Sequence, residues 1–272
     1  MIKYIKNYLK NMLNTDVIVS NQQCINAWKH FITPCPNAEI LETNGLVITW
    51  SGTDNALLNT VFLLNPVQDE TELEAKIKVA CDYAKKRNQR WWMVVAEDWM
   101  PESLRTQSDE VFSRQGLLPL LKIAGMATDQ LRPPAHSSKL DCVSVSNLGM
   151  RQAVADINAI SYDLPAAHFR ETLELNEFWQ ETVFGTLGYL ENQPVSTATT
   201  FLINNEFYLG FVATLPNYRN LGCAEAVIRH SLEQAEQCYG KKRTVLHATP
   251  AGFPVYQRMG YQPTAYFKTY TC

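Results

Sequence analysis

The sequence predicts an α/β (α+β) chain of two tandem domains, each a mixed central sheet flanked by helices. Three observations carry that prediction. Short apolar or alternating runs bounded by turn residues recur between stretches of helical periodicity. Their order in the first half is repeated in the second. A polar break with two prolines, DQLRPPAHSSK at 129–139, divides the chain near its middle. The 272 residues, 46% of them hydrophobic, suffice for two domains of ordinary size with substantial cores. The domains are placed at 1–134 and 139–272.

The opening MIKYIKNYLKNMLN sets Tyr4, Ile5, Tyr8, Leu9, Met12 and Leu13 at helical spacing with Lys3, Lys6 and Lys10 between them. It reads as an amphipathic helix docked on the body rather than a targeting segment, since it lacks a continuous apolar region and a small-residue cleavage site. Strands are expected at AEILET (38–43), LVITWS (46–51) and NTVFLLN (59–65). A helix over 70–86, the strand RWWMVVA (90–96), a helix over 101–115 and a further strand complete the half. Trp91 and Trp92 are expected to pack in the sheet.

The second half opens with the strand LDCVSVS (140–146), followed by helical spacing over 148–161 through Ala153, Ile157 and Ile160. A second helical stretch covers 166–176. Three strands, 185–191, 195–203 and 207–214, are joined by the turn signals NQP and NNE. The next helix keeps Ala224, Val227, Ile228, Leu232 and Ala235 on one face, and Gly240 stops it. The strand TVLHA (244–248), a short helix ending near Gly260 and a final strand follow. In this alignment NPVQDETEL (65–73) takes the place of LPNYRNLG, and FSRQGL (112–117) that of YQRMGY (256–261).

Composition narrows the function classes. A net charge of −3 gives no general attraction to nucleic acid or anionic lipid. No apolar run is long enough to span a bilayer. The seven cysteines form no CxxC pair, and their odd number without a secretory signal suits reduced thiols in a cytoplasm. None of the five histidines sits in a metal-like pair, so no metal is expected. Monomer and homodimer both remain open.

The stretch LPNYRNLGCAEAV (215–227) carries the chemistry. It lies after a strand and pours into a helix, whose first turn offers unpaired N–H groups and a partial positive charge. Gly222 permits close backbone approach and positive φ, Ala224 leaves room, and Arg219 adds charge. That is a seat for phosphate groups. The bland reading, a loop and a helix start, is set aside by context.

VATLPNYRNLGCAEAV followed by TVLHATPAGFPVYQRMGY resembles the GNAT superfamily of N-acetyltransferases. The likeness covers the loop, the strand before it, the helix after it and the strand–helix–tyrosine segment. The element order over 140–272 agrees. One departure is Asn220, where many members have a second glycine. The whole chain is similar to tandem acetyltransferases of this superfamily in which one half is active, the N-terminal half being degenerate.

The resemblance implies acetyl-CoA, or another acyl-CoA, as co-substrate and donor. It implies that the strand before the loop splays from its neighbour to admit the pantetheine arm, and Gly210 agrees with a bulge there. Backbone groups of Val212, Ala213 and Thr214 are expected to bind the arm and polarise the thioester carbonyl. Asn220, Leu221, Gly222, Cys223, Ala224 and Glu225, with Arg219, are expected to wrap the pyrophosphate. Tyr256 matches the family tyrosine that protonates the departing thiolate; the alternative is a core tyrosine at a helix end. Glu191, Glu206, His168 and a water chain are open as the base. The resemblance places Asp163, His168 and Glu171 beside the entrance of the acceptor, a small-molecule or peptide amine; a solvated helix face is the commoner explanation of such charges. Cys223 reads as a small loop residue, with a thiol activated by the helix N-terminus as the lesser reading.

The expectation is acyl transfer from acetyl-CoA to an amine by the C-terminal half. A CoA-binding sensor or scaffold without turnover is the rival from another class. An acyltransferase using aminoacyl-tRNA is disfavoured by the acidic net charge.

Overall fold

The computed structural model describes residues 2–134 and 139–272, with side chains inside the first helix from residue 15 onward. The apolar face expected over 1–14 and the solvated connection expected at 136–138 lie outside the described residues.

The chain begins with α1 (Ile2–Ile32), which continues well past the predicted opening segment. Its later turns bury Val17, Ser20, Asn21, Cys24, Trp28 and Phe31 at three- and four-residue spacing. Ser20, Asn21 and Cys24 interrupt that stripe with polar atoms, which hides it from a reading by hydrophobicity alone.

The first half then forms β1 (Glu39–Thr43), β2 (Leu46–Trp50) and β3 (Asn59–Leu63) as an antiparallel meander. Asn44 and Gly45 turn the first hairpin with φ of 50° and 71°, the left-handed pair that a two-residue loop requires. α2 (Glu70–Lys85) crosses to β4 (Trp92–Ala96), parallel to β3, and α3 (Glu102–Arg114) leads to β5 (Leu118–Thr128). Trp91 is buried just before β4, and Trp92 opens it, as expected for sheet packing.

The second half comprises β6 (Asp141–Ser144), α4 (Leu148–Tyr162), α5 (Ala166–Leu173), β7 (Val183–Leu190), β8 (Gln193–Ile203) and β9 (Glu206–Thr214). It closes with α6 (Cys223–Tyr239), β10 (Thr244–Ala248), α7 (Phe253–Met259) and β11 (Gln262–Thr271). The second helical stretch is shorter than expected, because α5 stops at Leu173 and a separate turn covers Asn176–Phe178. From β7 to β11 the element order is that of β1 to β5.

All eleven strands make one sheet, in the order β1-β2-β3-β4-β11-β5-β10-β9-β8-β7-β6. The closing strands of the halves are exchanged. β11 lies antiparallel to β4, β5 lies antiparallel to β10, and β5 and β11 pair with each other. The division expected between 134 and 139 therefore separates the sequence, while the sheet runs across it. α1 crosses near this seam, where a Cβ on Gly125 would come within 2.0 Å of Ser20 Oγ. Only glycine fits there.

The helices lie on both faces. Phe207 and Leu209 of β9 join a cluster with Val227 and Leu232 of α6 and Tyr256 of α7. Tyr208, between them, packs instead on Phe31 of α1, as alternation along a strand demands. α4 lies on the α1 side, against β8 and β9.

Candidate functional site

β9 and β10 pair in parallel at only two positions, Phe207 with Thr244 and Tyr208 with Val245. Beyond them β9 continues to Thr214 and β10 to Ala248 without further pairing to each other. A gap opens between the strands. Its cause is a bulge against β8: Thr197 faces Ala213 and Thr199 faces Gly210, so Phe211 and Val212 share the space opposite one residue. Phe211 takes φ of 49° to make it. The bulge was expected at Gly210 and sits just after it. Gly210 serves packing, since a Cβ there would press on the Phe31 ring at 3.3 Å.

The loop after β9 ends at the mouth of α6. Gly222 is the N-cap with φ of 76°, and no side chain caps the helix. The first bond in the helix runs from Ala226 N to Gly222 O at 3.1 Å, so the amides of Cys223, Ala224 and Glu225 have no carbonyl to meet within the helix. Asn220 also lies in the left-handed region, with φ of 63°. Asparagine tolerates that conformation, as a glycine would. Leu221 is exposed between the two left-handed residues.

Arg219 is placed differently from its expected role. Its guanidinium donates from Nε to Thr214 O at 3.3 Å and from Nη2 to Ser161 O at 3.2 Å. It ties the loop to the end of α4 and leaves its charge beside the gap. Glu225 pairs with Arg229 at 2.7 Å. Cys223 is buried, and desolvation raises its pKa, only partly offset by the helix amide. The reading of an activated thiol is therefore corrected: burial outweighs the helix terminus.

Tyr256 is buried in α7, with its ring edge-on to Tyr261 at 5.8 Å. Desolvation raises its pKa well above that of a free phenol, so it holds its proton, and the nearby Tyr162 phenol reinforces the shift. Tyr162 went unnoticed in the sequence. It stands on the last turn of α4 and donates to Val212 O at 3.5 Å. Its side chain is 45% exposed, but the hydroxyl end turns inward; burial there raises its pKa, with Arg219 acting in opposition. The structure thus gathers Val212, Tyr162, Arg219 and Tyr256 around the gap. Tyr162 falls outside the apolar stripe of Ala153, Ile157 and Ile160, so nothing in the sequence distinguishes it.

The candidate bases are engaged elsewhere. His168 Nε2 accepts from Arg90 Nη2 at 2.7 Å. Glu206 accepts from Gln23 Nε2 at 2.7 Å. Glu191 lies exposed in the β7–β8 turn with φ of 49°. Asp163 is the exposed left-handed C-cap of α4, and Glu171 is exposed on α5.

The matching region of the first half is closed. Asp69 caps α2 by accepting from Glu72 N at 2.9 Å, and Glu72 reaches back to Gln68 N at 2.8 Å. This reciprocal pair occupies the helix mouth. β3 and β4 stay paired through Phe62 and Val94, one residue before β3 ends. Val67 N then donates to Trp99 O at 2.9 Å, bridging the loops that follow the two strands. Carboxylates and hydrogen bonds stand where the other half offers amides and a gap. A separate groove of about 260 Å³, between α6 and residues 129–131, is lined by none of the predicted site residues.

Residues 152–261 match the sequence profile of the acetyltransferase (GNAT) family. No curated protein matches the chain. Among solved structures, a GCN5-related N-acetyltransferase from Kribbella flavida superposes with TM-score 0.68 at 17% identity, covering 93% of this chain and 95% of that one. A conserved protein of unknown function from Staphylococcus epidermidis gives 0.62 at 10% identity, covering 86% and 94%. A tandem GNAT protein from the clavulanic acid biosynthesis pathway gives 0.50 at 12% identity, covering 78% and 74%. The fold is shared over nearly the full length, and the uncapped helix mouth and the opened strand pair lie within the matched segment: residues 152–261 are an acetyltransferase domain of the GNAT family.

Proposed function

We propose that the C-terminal half transfers an acetyl group from acetyl-CoA to an amine. The observation that carries this reading is the asymmetry of the two helix mouths. α6 begins without a cap beside an opened strand pair, whereas α2 is capped by Asp69 and its strands stay closed. Free amides at a helix N-terminus favour an anion such as a pyrophosphate, and the adjoining gap suits an extended arm.

When bound, the CoA thioester supplies the acyl carbon and a thiolate leaving group. The backbone amides of Cys223 to Glu225 hold the phosphates. Backbone groups of Val212 to Thr214 hold the arm and bind the carbonyl oxygen as negative charge builds on it. The neutral amine attacks the acyl carbon, the carbon–sulfur bond breaks, and Tyr256 delivers its proton to the sulfur. The proton lost by the amine leaves through water, because His168 and Glu206 are engaged elsewhere and Glu191 lies exposed in a turn.

The test is incubation with acetyl-CoA and a panel of amines, following free thiol and acetylated product together. Thiol release matched by product supports the reading. Tight CoA binding without product on any amine favours the sensor, and absence of CoA binding removes both.

A further inference from the structure

Asn158 lies in the middle of α4, wholly buried among Val154, Ala155 and Ile157. A buried amide on an apolar helix face is costly unless its groups are paired. Its Nδ2 donates to Val154 O at 2.9 Å and to Phe211 O at 3.5 Å, while Oδ1 has no partner. Both partners of the nitrogen are carbonyls, so the amide orientation is fixed by the network and the orphaned atom is the oxygen. An unpaired buried acceptor costs about 1–3 kcal/mol. A leucine of the same branched shape would avoid that cost.

The second observation is the backbone at Phe211. Elsewhere the positive-φ residues are Gly, Asn, Asp or Glu in turns, caps and loops; Phe211 is an aromatic residue inside a strand. A left-handed backbone at such a residue costs about 1–2 kcal/mol and persists only where its surroundings impose it. Its ring is held by Phe31 at 5.0 Å, Phe178 at 5.7 Å and Phe201 at 6.0 Å. Its carbonyl is held by Asn158. The next residues, Val212 to Thr214, are those that would face the thioester.

We propose that Asn158 is a positioning residue: its amide holds the strained Phe211 peptide and thereby presents the backbone of Val212 to Thr214 to the acyl-CoA arm. This rests on the reading of the gap as the donor slot. The two unfavourable features, an orphaned oxygen and a left-handed phenylalanine, meet at one hydrogen bond beside that slot. Neither has a use in core packing. Together they keep the bulge in one conformation.

The experiment is Asn158→Leu, which removes both polar ends and keeps the branched shape. Leucine removes the orphaned oxygen but leaves the Phe211 carbonyl unpaired, two effects of similar size and opposite sign, so Tm is expected to stay near wild type. The backbone ¹³C shifts of Phe211 should leave the values of positive φ. CoA affinity should fall about tenfold or more, while adenosine 3′,5′-bisphosphate, which reaches only the helix mouth, should bind as it does to the wild type. Unchanged Phe211 shifts in a folded N158L protein overturn the proposal, as does a loss of Tm with unaltered CoA affinity. If the wild type itself binds no CoA, the donor-slot reading fails, and the Phe211 shifts still decide whether Asn158 holds the bulge. Asn158→Ala is the second variant, for use if leucine does not fold, with the same outcomes read.

Discussion

Phe112 of α3 and Tyr270 of β11 stack face to face, with centroids 3.6 Å apart and planes within 4°. The Tyr270 hydroxyl donates to Asp109 at 2.9 Å, and Lys268 meets the same carboxylate at 2.9 Å. The alignment that sets Tyr256 opposite Phe112 and Gly260 opposite Gly116 sets Met126 opposite Tyr270. α3 and α7 also end alike, with Leu117 N bonded to Phe112 O and Tyr261 N to Tyr256 O. The exchanged strand thus lays a tyrosine ring on Phe112 in one half, where the other half has Met126 in the cluster around Tyr256. No thioester can approach the covered face of Phe112. Calorimetric titration is expected to give one CoA per chain, and two equivalent sites would refute the asymmetry.

Gly222→Val tests the helix mouth. A Cβ at Gly222 meets no heavy atom within 4 Å, so the fold has room for it. The cost lies in φ of 76°, about 1–2 kcal/mol for a residue with a side chain, and the branched group fills the space above the free amides. The variant is expected to fold and to lose CoA affinity by about a hundredfold. Undiminished binding in a folded variant would sink the assignment of the phosphate seat.

Tyr256→Phe separates packing from proton donation. The ring is buried against Tyr261, and phenylalanine keeps that contact. Tm and CoA affinity are expected to stay near wild type while kcat falls roughly ten- to a thousandfold, reaching below the usual contribution of a positioned acid because water can substitute. Phe112→Tyr should restore nothing. Full kcat in Tyr256→Phe, measured where chemistry limits the rate, would assign the acid elsewhere.

His247 gives a pH prediction. Burial lowers its pKa from 6.5 to about 3. Its ring faces Tyr208 Oη at 3.1 Å, Ser20 Oγ at 3.4 Å and Phe267. The unfolded chain binds the proton more readily than the folded one. The contribution is therefore complete above the unfolded pKa and is lost as pH falls from about 6.5 toward 3. Between pH 7.5 and pH 5 the loss from this residue is about 2 kcal/mol. His30, whose pKa burial also lowers, adds in the same sense. Chemical denaturation over that range should show a shallower slope for His247→Gln than for the wild type; parallel slopes would show that His247 carries none of it.

The sequence determined the alternation of elements, the hairpin turns and the left-handed start of α6. Each rests on local chemistry: Asn44–Gly45 must turn a hairpin, Gly240 must stop a helix, and Gly222 must take a left-handed cap. Asp69 and Glu72 likewise announce a capped helix wherever they fold. Only the tertiary structure decided which strands close which half, because β5 and β11 are equally able to complete either sheet by pattern and their partners lie far away in sequence. It also decided the length of α1, whose buried Ser20 and Asn21 find His247 and Leu63 as partners across the fold. Tyr162 and Asn158 acquire their places from β9, through carbonyls 50 and 53 residues away. Periodicity tells which face of α4 is inward; it carries no information about a bulge that forms only when β8, β9 and the Phe31 ring come together.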